Sequence, residues 1–473
     1  MELCGPRAGG RGLRRQLIRL IVVSNRIAGA GGKSAAAGGL AVALRQALTG
    51  RDGVWLGWSG AVSDEPSDEP VMKVVEGVTH ATLDLTPVDR KEYYAGFANR
   101  VLWPTMHYRV GLTQFSRVDY EGYRRVNRRF AAAIASMARP KDLIWVHDYH
   151  LIPVAAELRA LGVTNRIGYF HHIPWPPIEV LGVLPGVGAL IEAMTAYDLV
   201  GVQTGVDEGN FIRTLMQAGR VARVGRASFS VGGRTCRVKA FPIGVDPAAV
   251  ERDAASLAGR RMSSAMRRSV GGRKLVVGVD RLDYSKGIAP RIEAFGEFLA
   301  LHPEWRRKVT YVQIATPSRM DVREYRDVGH RVDEAVSRVN SHLGEPDWAP
   351  IRLVKKAYPY AAICGLYRVA DAALVTPMRD GMNLVAKEFV AAQTEEDPGA
   401  LILSRFAGAA FRMREALIVN PFDSLDMVEA LRAALDMPVE ERRRRWKALR
   451  ADIELRDIHW WTQAYLRALT RAR

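Results

Sequence analysis

Cysteine is scarce. Cys4, Cys236 and Cys364 are the three in 473 residues, far apart and with no CxxC pair. Such a set excludes a disulfide framework and a zinc ribbon, and a reducing, cytoplasmic setting is expected. Long apolar runs are absent: the longest near the N-terminus, 17–23, is broken by Arg19 and is far too short to span a bilayer. No membrane partner is therefore expected. Residues 1–16 are rich in Gly and Arg and lack an apolar stretch followed by a small-residue cleavage site. They read as a flexible N-terminal extension and not as a secretory signal. No repeat of solenoid period is present. No DxD pair stands in a loop suited to a metal ion, so neither a metal nor another cofactor is expected.

Acidic residues are also in short supply. Against 68 Lys+Arg stand 51 Asp+Glu, a net charge of +17. That balance calls for an acidic partner: nucleic acid, an anionic membrane or phosphorylated small molecules. Basic motifs interleaved with aromatics are missing, which argues against nucleic acid. The remaining excess, concentrated partly in 7–19 and 442–450, reads as solvated basic surface. With 48% hydrophobic and 25% charged residues the chain is globular. At about 150 residues per domain its length allows two or three domains.

Short, nearly continuous apolar runs alternate with helical patterns. Strands are predicted at 19–24, 54–58, 142–147, 166–170, 198–203 and 237–242, then at 274–279, 309–314, 351–354, 372–376, 400–403 and 416–419. Helices are predicted at 38–48, 123–137, 151–161, 289–301, 321–343, 382–393, 425–435 and 458–469, among others. Uninterrupted apolar strands separated by helices indicate parallel sheets buried on both faces, an α/β class. Twelve strands exceed a usual single sheet, so two doubly wound sheets of about six are expected. The break falls at the Pro/Gly-punctuated stretch 242–247. In such sheets ligands bind beyond the carboxyl ends of the strands, and two facing domains make the cleft between them the default site.

Residues at those strand ends carry the chemistry. After the first strand, GAGGKSAAAGG opens a helix at Gly38 and Gly39. Glycines there admit a phosphate or sugar to backbone amides, although a plain flexible loop would look the same. Arg26, just past a buried strand, is either paired with an internal acid or aimed at an anionic ligand. In HDYH (147–150) adjacent residues point to opposite faces. Its two histidines therefore do not chelate one ion, and Asp148 is left as a hydrogen-bonding group at the cleft. His171 and His172 in FHHIPWPP alternate likewise, and either could be a satisfied structural histidine. DRLDYSKG (280–287) places Arg281 and Lys286 in one loop, a pair suited to a diphosphate or to a surface ion-pair network. TPSRMDV puts Arg319 beyond another strand. VTPMRDGMNLVAKEFVAAQ (375–393) is a strand, a turn holding Asp380 and Gly381, and a helix with Glu388 on it. That carboxylate suits sugar or ribose hydroxyls.

Taken together, VVSNRI, AGGLAVAL, VWLGWSG, EYYAGFANRVLWPTMHYR, IWVHDYHL, HHIPWP, DRLDYSKG, PSRMDV and TPMRDGMNLVAKEFVAAQ resemble the trehalose-6-phosphate synthases. These are bacterial UDP-forming glycosyltransferases of the GT-B fold, two Rossmann-like domains facing a cleft. The resemblance runs from about Leu17 to the C-terminal helix. It implies an acceptor-binding domain at 17–245, a nucleotide-sugar domain at 246–455, and a last helix at 456–473 returning to the first domain. It implies transfer of glucose from UDP-glucose to glucose 6-phosphate with retained configuration. Carried over by position, Arg26 and Arg319 would hold the acceptor phosphate, and Tyr94 and Trp103 would form the acceptor pocket with Asp148 beside the reacting centre. Gly38, Gly39 and His172 would meet the donor. Arg281 and Lys286 would neutralise the diphosphate, and Asp380, with Gly381, Met382 and Asn383, would face the glucose. Leu384 and Val385 would offer amides to phosphate and Glu388 would grip the ribose, with Tyr358 by the base. The KKAYPYAAICGLY segment departs from the family pattern, leaving UDP, GDP or ADP open as the nucleotide. Relatives form tetramers, so a homo-oligomer is an expectation, and a separate phosphatase would act on the product. The competing readings are a glucosyltransferase acting on glycerol 3-phosphate, a pseudo-glycosyltransferase joining an activated cyclitol to an amino sugar phosphate, a catalytically dead regulatory homologue, and a basic nucleic-acid-binding protein.

Overall fold

The computed structural model describes residues 18–27, 44, 45, 47, 48, 51–217, 222–231, 233–319 and 322–472. The Gly38 and Gly39 positions lie outside them. The first sheet contains β1 (Leu20–Arg26), β2 (Val54–Val62), β3 (Val71–Val75), β4 (Val78–Leu85), β5 (Leu143–His147), β6 (Arg166–Phe170), β7 (Leu199–Val202), β8 (Ala222–Gly225), β9 (Ser228–Val231) and β10 (Arg234–Ala240). Its order is β3-β4-β2-β1-β5-β6-β7-β10-β9-β8. The seven strands from β4 to β10 are parallel, flanked by antiparallel β3 on one edge and the β9–β8 ribbon on the other. The second sheet is parallel throughout: β11 (Lys274–Arg281), β12 (Val309–Thr316), β13 (Ile351–Val354), β14 (Ala372–Val375), β15 (Ala400–Ser404) and β16 (Leu417–Val419), in the order β13-β12-β11-β14-β15-β16.

All twelve sequence-predicted strands are present, because double-sided burial leaves an apolar run that is visible in sequence. The expectation of about six strands in each sheet fails for the first sheet, which has ten. Its four extra strands lie at the two ends of the sheet, β3 and β4 at one and β9 and β8 at the other, and their residues are not continuously apolar. Between β3 and β4 the turn residues Glu76 (φ 49°) and Gly77 (φ 77°) are both left-handed. Two such residues joining paired Val75 and Val78 make a tight hairpin connection.

Two features of the helices position the site. Thr86 caps a turn at Pro87, and the chain then winds as a π-helix, Arg90–Leu102, before an α-helical turn, Trp103–Met106. This element carries Tyr94 and Trp103, and wide turns of this kind concentrate at functional sites. The last helix, Ile458–Arg471, lies on the first sheet. Tyr465 stacks on Trp145 at 4.5 Å and donates to the Tyr169 carbonyl at 2.9 Å. Gly168 and Gly201 make room for its ring, since a Cβ at either would lie 2.5 and 2.7 Å from Tyr465 atoms.

The basic stretch 442–450 belongs to the helix Val439–Leu455, and its cations are not simply solvated. Arg442 pairs with Asp397 at 2.6 Å, Arg443 with Glu440 at 2.8 Å, Arg444 and Arg445 with Glu441 at 2.8 Å each, Lys447 with Glu395 at 2.5 Å and Arg450 with Glu454 at 2.6 Å. Trp446 and Arg450 also donate to the carbonyls of Val390 and Ala391. The cluster thus braces the helix Leu384–Ala392, whose N-terminus faces the cleft.

Candidate active site

Between the two sheets opens a cavity of about 500 Å³. Its polar lining gathers Asp148, His172, Gln203, Arg281, Lys286, Asp380, Asn383 and Glu388, and its apolar lining Ile243, Ile363, Tyr360 and Tyr367. Met382, Leu384 and Val385 complete the wall at the start of the helix Leu384–Ala392. Ten of the residues singled out in sequence therefore converge from four strand ends and one helix terminus. Lys286 Nζ lies 2.5 Å from Asp380 Oδ2, which also accepts from Asn383 Nδ2 at 3.1 Å. Burial raises the Asp380 carboxyl, but Lys286 and, less strongly, His107 and Arg281 outweigh it, so the group sits below its ordinary value.

Gly381 does not line the cavity; it makes the wall possible. A Cβ there would lie 2.2 Å from the His172 carbonyl oxygen, so glycine lets the second domain's loop rest against the first domain's.

Trp103 anchors an adjoining aromatic and cationic cluster. The Arg319 guanidinium sits 3.9 Å from its ring centroid and that of Arg281 5.8 Å. Arg319 donates to Tyr149 Oη at 3.1 Å and Tyr325 Oη at 2.5 Å, and pairs with Asp283 at 3.3 Å. The buried Trp103 indole N–H has no partner, as a group awaiting a ligand would. Tyr94 stacks on His150 at 5.9 Å and tilts against Trp58 at 5.6 Å, and Arg26 lies 5.5 Å from the Trp58 ring. The exposed Arg26 is thus aligned with the aromatic row.

Tyr358 is not in the cavity lining. Its ring carries Lys356 at 4.9 Å, and Tyr360 lines the cavity instead. Pro359 caps the helix Tyr360–Arg368, so the chain turns between the two tyrosines and only the second enters the wall. Sequence reading also passed over Asp283, fully buried under Arg319, and Gln203, whose side chain binds Ile243 N at 3.1 Å and the His172 carbonyl at 3.4 Å.

Three site residues hold left-handed backbone: Asp148 (φ 74°), Arg319 (φ 49°) and Asn383 (φ 75°). Asp148 combines its φ with ψ 166°, a region nearly confined to glycine and costing about 1–3 kcal/mol. Asp148 N bonds to the Phe170 carbonyl at 2.8 Å, Leu151 N to the Asp148 carbonyl at 3.0 Å, and His172 N to Asp148 Oδ1 at 3.2 Å. These bonds hold the strained residue in place.

Burial dominates the protonation of the site. It pushes Asp148 up to about 6, against the amides of His172 and Tyr149 and the charges of Arg319 and Arg281. Glu388 rises to about 7 through burial, opposed by the Tyr360 hydroxyl. Burial holds His171 and His172 down at about 3 and His107 at about 4. Hence the imidazole of His172 is neutral at physiological pH while the two carboxylates titrate near it. In the roles that the resemblance implies, both carboxylates receive sugar hydroxyls, and the ionised form is the stronger acceptor. We therefore expect kcat/KM for UDP-glucose, measured at saturating acceptor from pH 5 to 9, to fall on the acid side with apparent pKa values of about 6 to 7. The sugar nucleotide's diphosphate has no group that titrates there. Glu388→Gln should remove the higher of the two, and a flat profile down to pH 5 would contradict both assignments.

A second cavity, about 430 Å³, is lined by Arg90, Lys91, Arg100, Arg323, Arg326 and Glu324, with Ala95, next to Tyr94 in the chain, in its wall. Arg100 and Arg323 are already turned to Asp119 and Asp327. Among the described residues no group of three His, Cys, Asp or Glu side chains could hold a metal ion. No described helix is long and apolar enough to cross a membrane.

The family model of glycosyltransferase family 20 matches residues 21–471. The chain belongs to glycosyltransferase family 20. A curated family relative, the trehalose-6-phosphate synthase of Sinorhizobium fredii, is 46% identical over 455 residues, 96% of this chain and 98% of the relative. Among solved structures, the UDP-forming α,α-trehalose-phosphate synthase from Burkholderia xenovorans in complex with glucose-6-phosphate superposes with a TM-score of 0.90 at 42% identity, covering 96% and 100% of the two chains. An E. coli structure bound with UDP-2-fluoro glucose gives 0.91 at 39% identity over 96% and 99%. The family-20 fold is the two-sheet GT-B arrangement described above.

Proposed function

We propose that this family-20 enzyme transfers glucose from UDP-glucose to glucose 6-phosphate with retention, forming α,α-trehalose 6-phosphate and UDP. The observation that carries the reading is the pairing of two unlike subsites across one cleft. One is a cavity with two cations at a helix N-terminus and carboxylates deeper in. The other is an aromatic cluster flanked by Arg26 and Arg319. The first matches a sugar nucleotide, the second a phosphorylated sugar. The resemblance to glycosyltransferases acting on these two substrates fits both.

In this reading Arg281 and Lys286 face the diphosphate, with the amides of Leu384 and Val385 at the positive end of their helix. Glu388 takes the ribose hydroxyls and the Tyr360 wall takes the base. Asp380, Met382, Asn383 and His172 surround the glucose. Arg26 and Arg319 hold the acceptor phosphate, Tyr94 and Trp103 its sugar. Gly38 and Gly39 keep the donor role that the resemblance implies. The anomeric hydroxyl of the acceptor attacks C1 from the face that UDP leaves. The C1–O bond to the β-phosphate breaks with its electron pair going to that oxygen, a new C1–O bond forms, and the hydroxyl proton passes to the departing phosphate. Asp148 orients the sugars beside C1. Lys286 already engages Asp380 and Asn383 caps its helix, so these groups are organised before substrate arrives and reorganise little at the moment of charge development. No step calls for a metal, because fixed cations oppose the leaving charge.

Release of UDP is expected from purified protein given UDP-glucose and glucose 6-phosphate in EDTA, with an α,α-1,1 linkage in the product by NMR. No turnover with this pair, or turnover only with glycerol 3-phosphate, would overturn the reading. Buried free Cys236 and Cys364 fit a reducing cytoplasm, where a phosphatase would take the product onward.

A further inference from the structure

His147 ends β5, and His172 lies two residues past the end of the neighbouring β6, where His147 pairs with Phe170. Their rings meet: His147 Nδ1 is 3.0 Å from His172 Nε2, with centroids 5.3 Å apart. One proton must lie between the two nitrogens, so the tautomer of one ring fixes that of the other. The far side of His147 decides which. Its ring packs among Trp145, Phe170 and Trp461, and its Nε2 is buried with no hydrogen-bond partner. An orphaned N–H in that apolar setting costs more than a bare ring nitrogen. The His147 proton therefore belongs on Nδ1, donated to His172 Nε2. His172 must then carry its own proton on Nδ1, the nitrogen left for the cavity that it lines.

We propose that His147 is a positioning residue that locks His172 in the Nδ1–H tautomer, so that His172 presents a fixed hydrogen-bond donor to an oxygen of the donor sugar. The sugar's part in this rests on the function proposed above; the tautomer lock does not. Trp461, from the last helix, closes the pocket behind both rings, at 6.4 Å from His147 and 6.2 Å from His172. The lock is thereby built from two strand ends of the first sheet and the last helix.

The test is imidazole ¹⁵N NMR of histidine-labelled enzyme without substrate, with the His172 signals assigned by their loss in His172→Asn. The wild-type enzyme should show His172 protonated at Nδ1 and bare at Nε2. In His147→Leu the preference should vanish. In His147→Asn, whose amide can still donate from the place of Nδ1, it should return. Steady-state rates should follow the same order: about a tenfold fall in kcat for His147→Leu, with KM for glucose 6-phosphate unchanged, and most of it restored in His147→Asn. A wild-type His172 protonated at Nε2 overturns the proposal, whether or not His147→Leu folds. So does a His172 tautomer that stays put in His147→Leu. Failure of the enzyme to use UDP-glucose would leave the spectra to decide the lock alone.

Discussion

Arg281→Ala should cut kcat by about two decades or more, the loss that follows removal of one preorganised donor to a developing anion. Arg281 ends β11 and is exposed at the cavity. Its guanidinium lies 5.8 Å from the Trp103 ring centroid. Unfolding free energy should therefore stay within about 0.5 kcal/mol of the parent, which separates a chemical defect from a folding one. Arg281→Lys should recover part of the rate, since a point charge replaces a fork. The comparison is made by single-turnover kinetics with saturating acceptor. A rate in Arg281→Ala equal to the parent's would remove this loop from the diphosphate.

Arg291→Met should destabilise the protein by about 3–5 kcal/mol, the cost of stranding a buried carboxylate. Arg291 lies on the helix Ile288–Leu301 with its side chain wholly buried. It binds Asp280 Oδ2 at 2.7 Å, Thr376 Oγ1 at 2.9 Å, Gln313 Oε1 at 3.2 Å and the Lys286 carbonyl at 2.9 Å. One guanidinium thereby ties together β11, β12, the residue after β14, and the loop that carries Lys286. Burial alone raises the Asp280 carboxyl, and Arg291 is the largest force opposing that. Adding Asp280→Asn to Arg291→Met should return much of the loss, because the stranded charge is then gone. Chemical denaturation with an unchanged m-value measures both. If the single variant loses less than about 1 kcal/mol, the network is not holding the strand ends.

What sequence could and could not reveal follows from the distances involved. Parallel strands buried on both faces advertise themselves, and so do the polar residues that interrupt them at their carboxyl ends. Asp148, Arg281, Arg319 and Asp380 were legible for that reason. The edge hairpin at Glu76-Gly77 was not, because its outer strand is short and exposed and Lys73 breaks its apolar run. Partnerships were hidden too. Lys286 meets Asp380 across 94 residues, and Arg319 meets Tyr149 across 170. Asp283 carried no signal of its own until the fold put Arg319 over it. The alternation rule expected His147 and His150 to part, and they do, although a 3₁₀ turn at Tyr149–Leu151 parts them; His150 stacks on Tyr94 and tilts against Tyr149. It was silent about His172, the true neighbour of His147, since that contact spans two strands. Tyr358 and Tyr360 differ by two residues in sequence, and only the helix start at Pro359 tells them apart.

The chain passes between the domains twice, at 243–247 and at 456–457, and the two passages touch. Ile458 N donates to the Val245 carbonyl at 3.0 Å, and a Cβ on Gly244 would lie 2.3 Å from the Arg456 carbonyl oxygen. Beside them the buried Lys387, on the same helix as Glu388, donates to the Ile243 carbonyl at 2.5 Å. A single linker would act as a ball joint, free to swivel in any direction. Two linkers pinned side by side act as a door hinge, with one axis of rotation and resistance to twist. Any opening of the cleft is thereby confined to one axis, and closure returns Gly381 to the same place against His172.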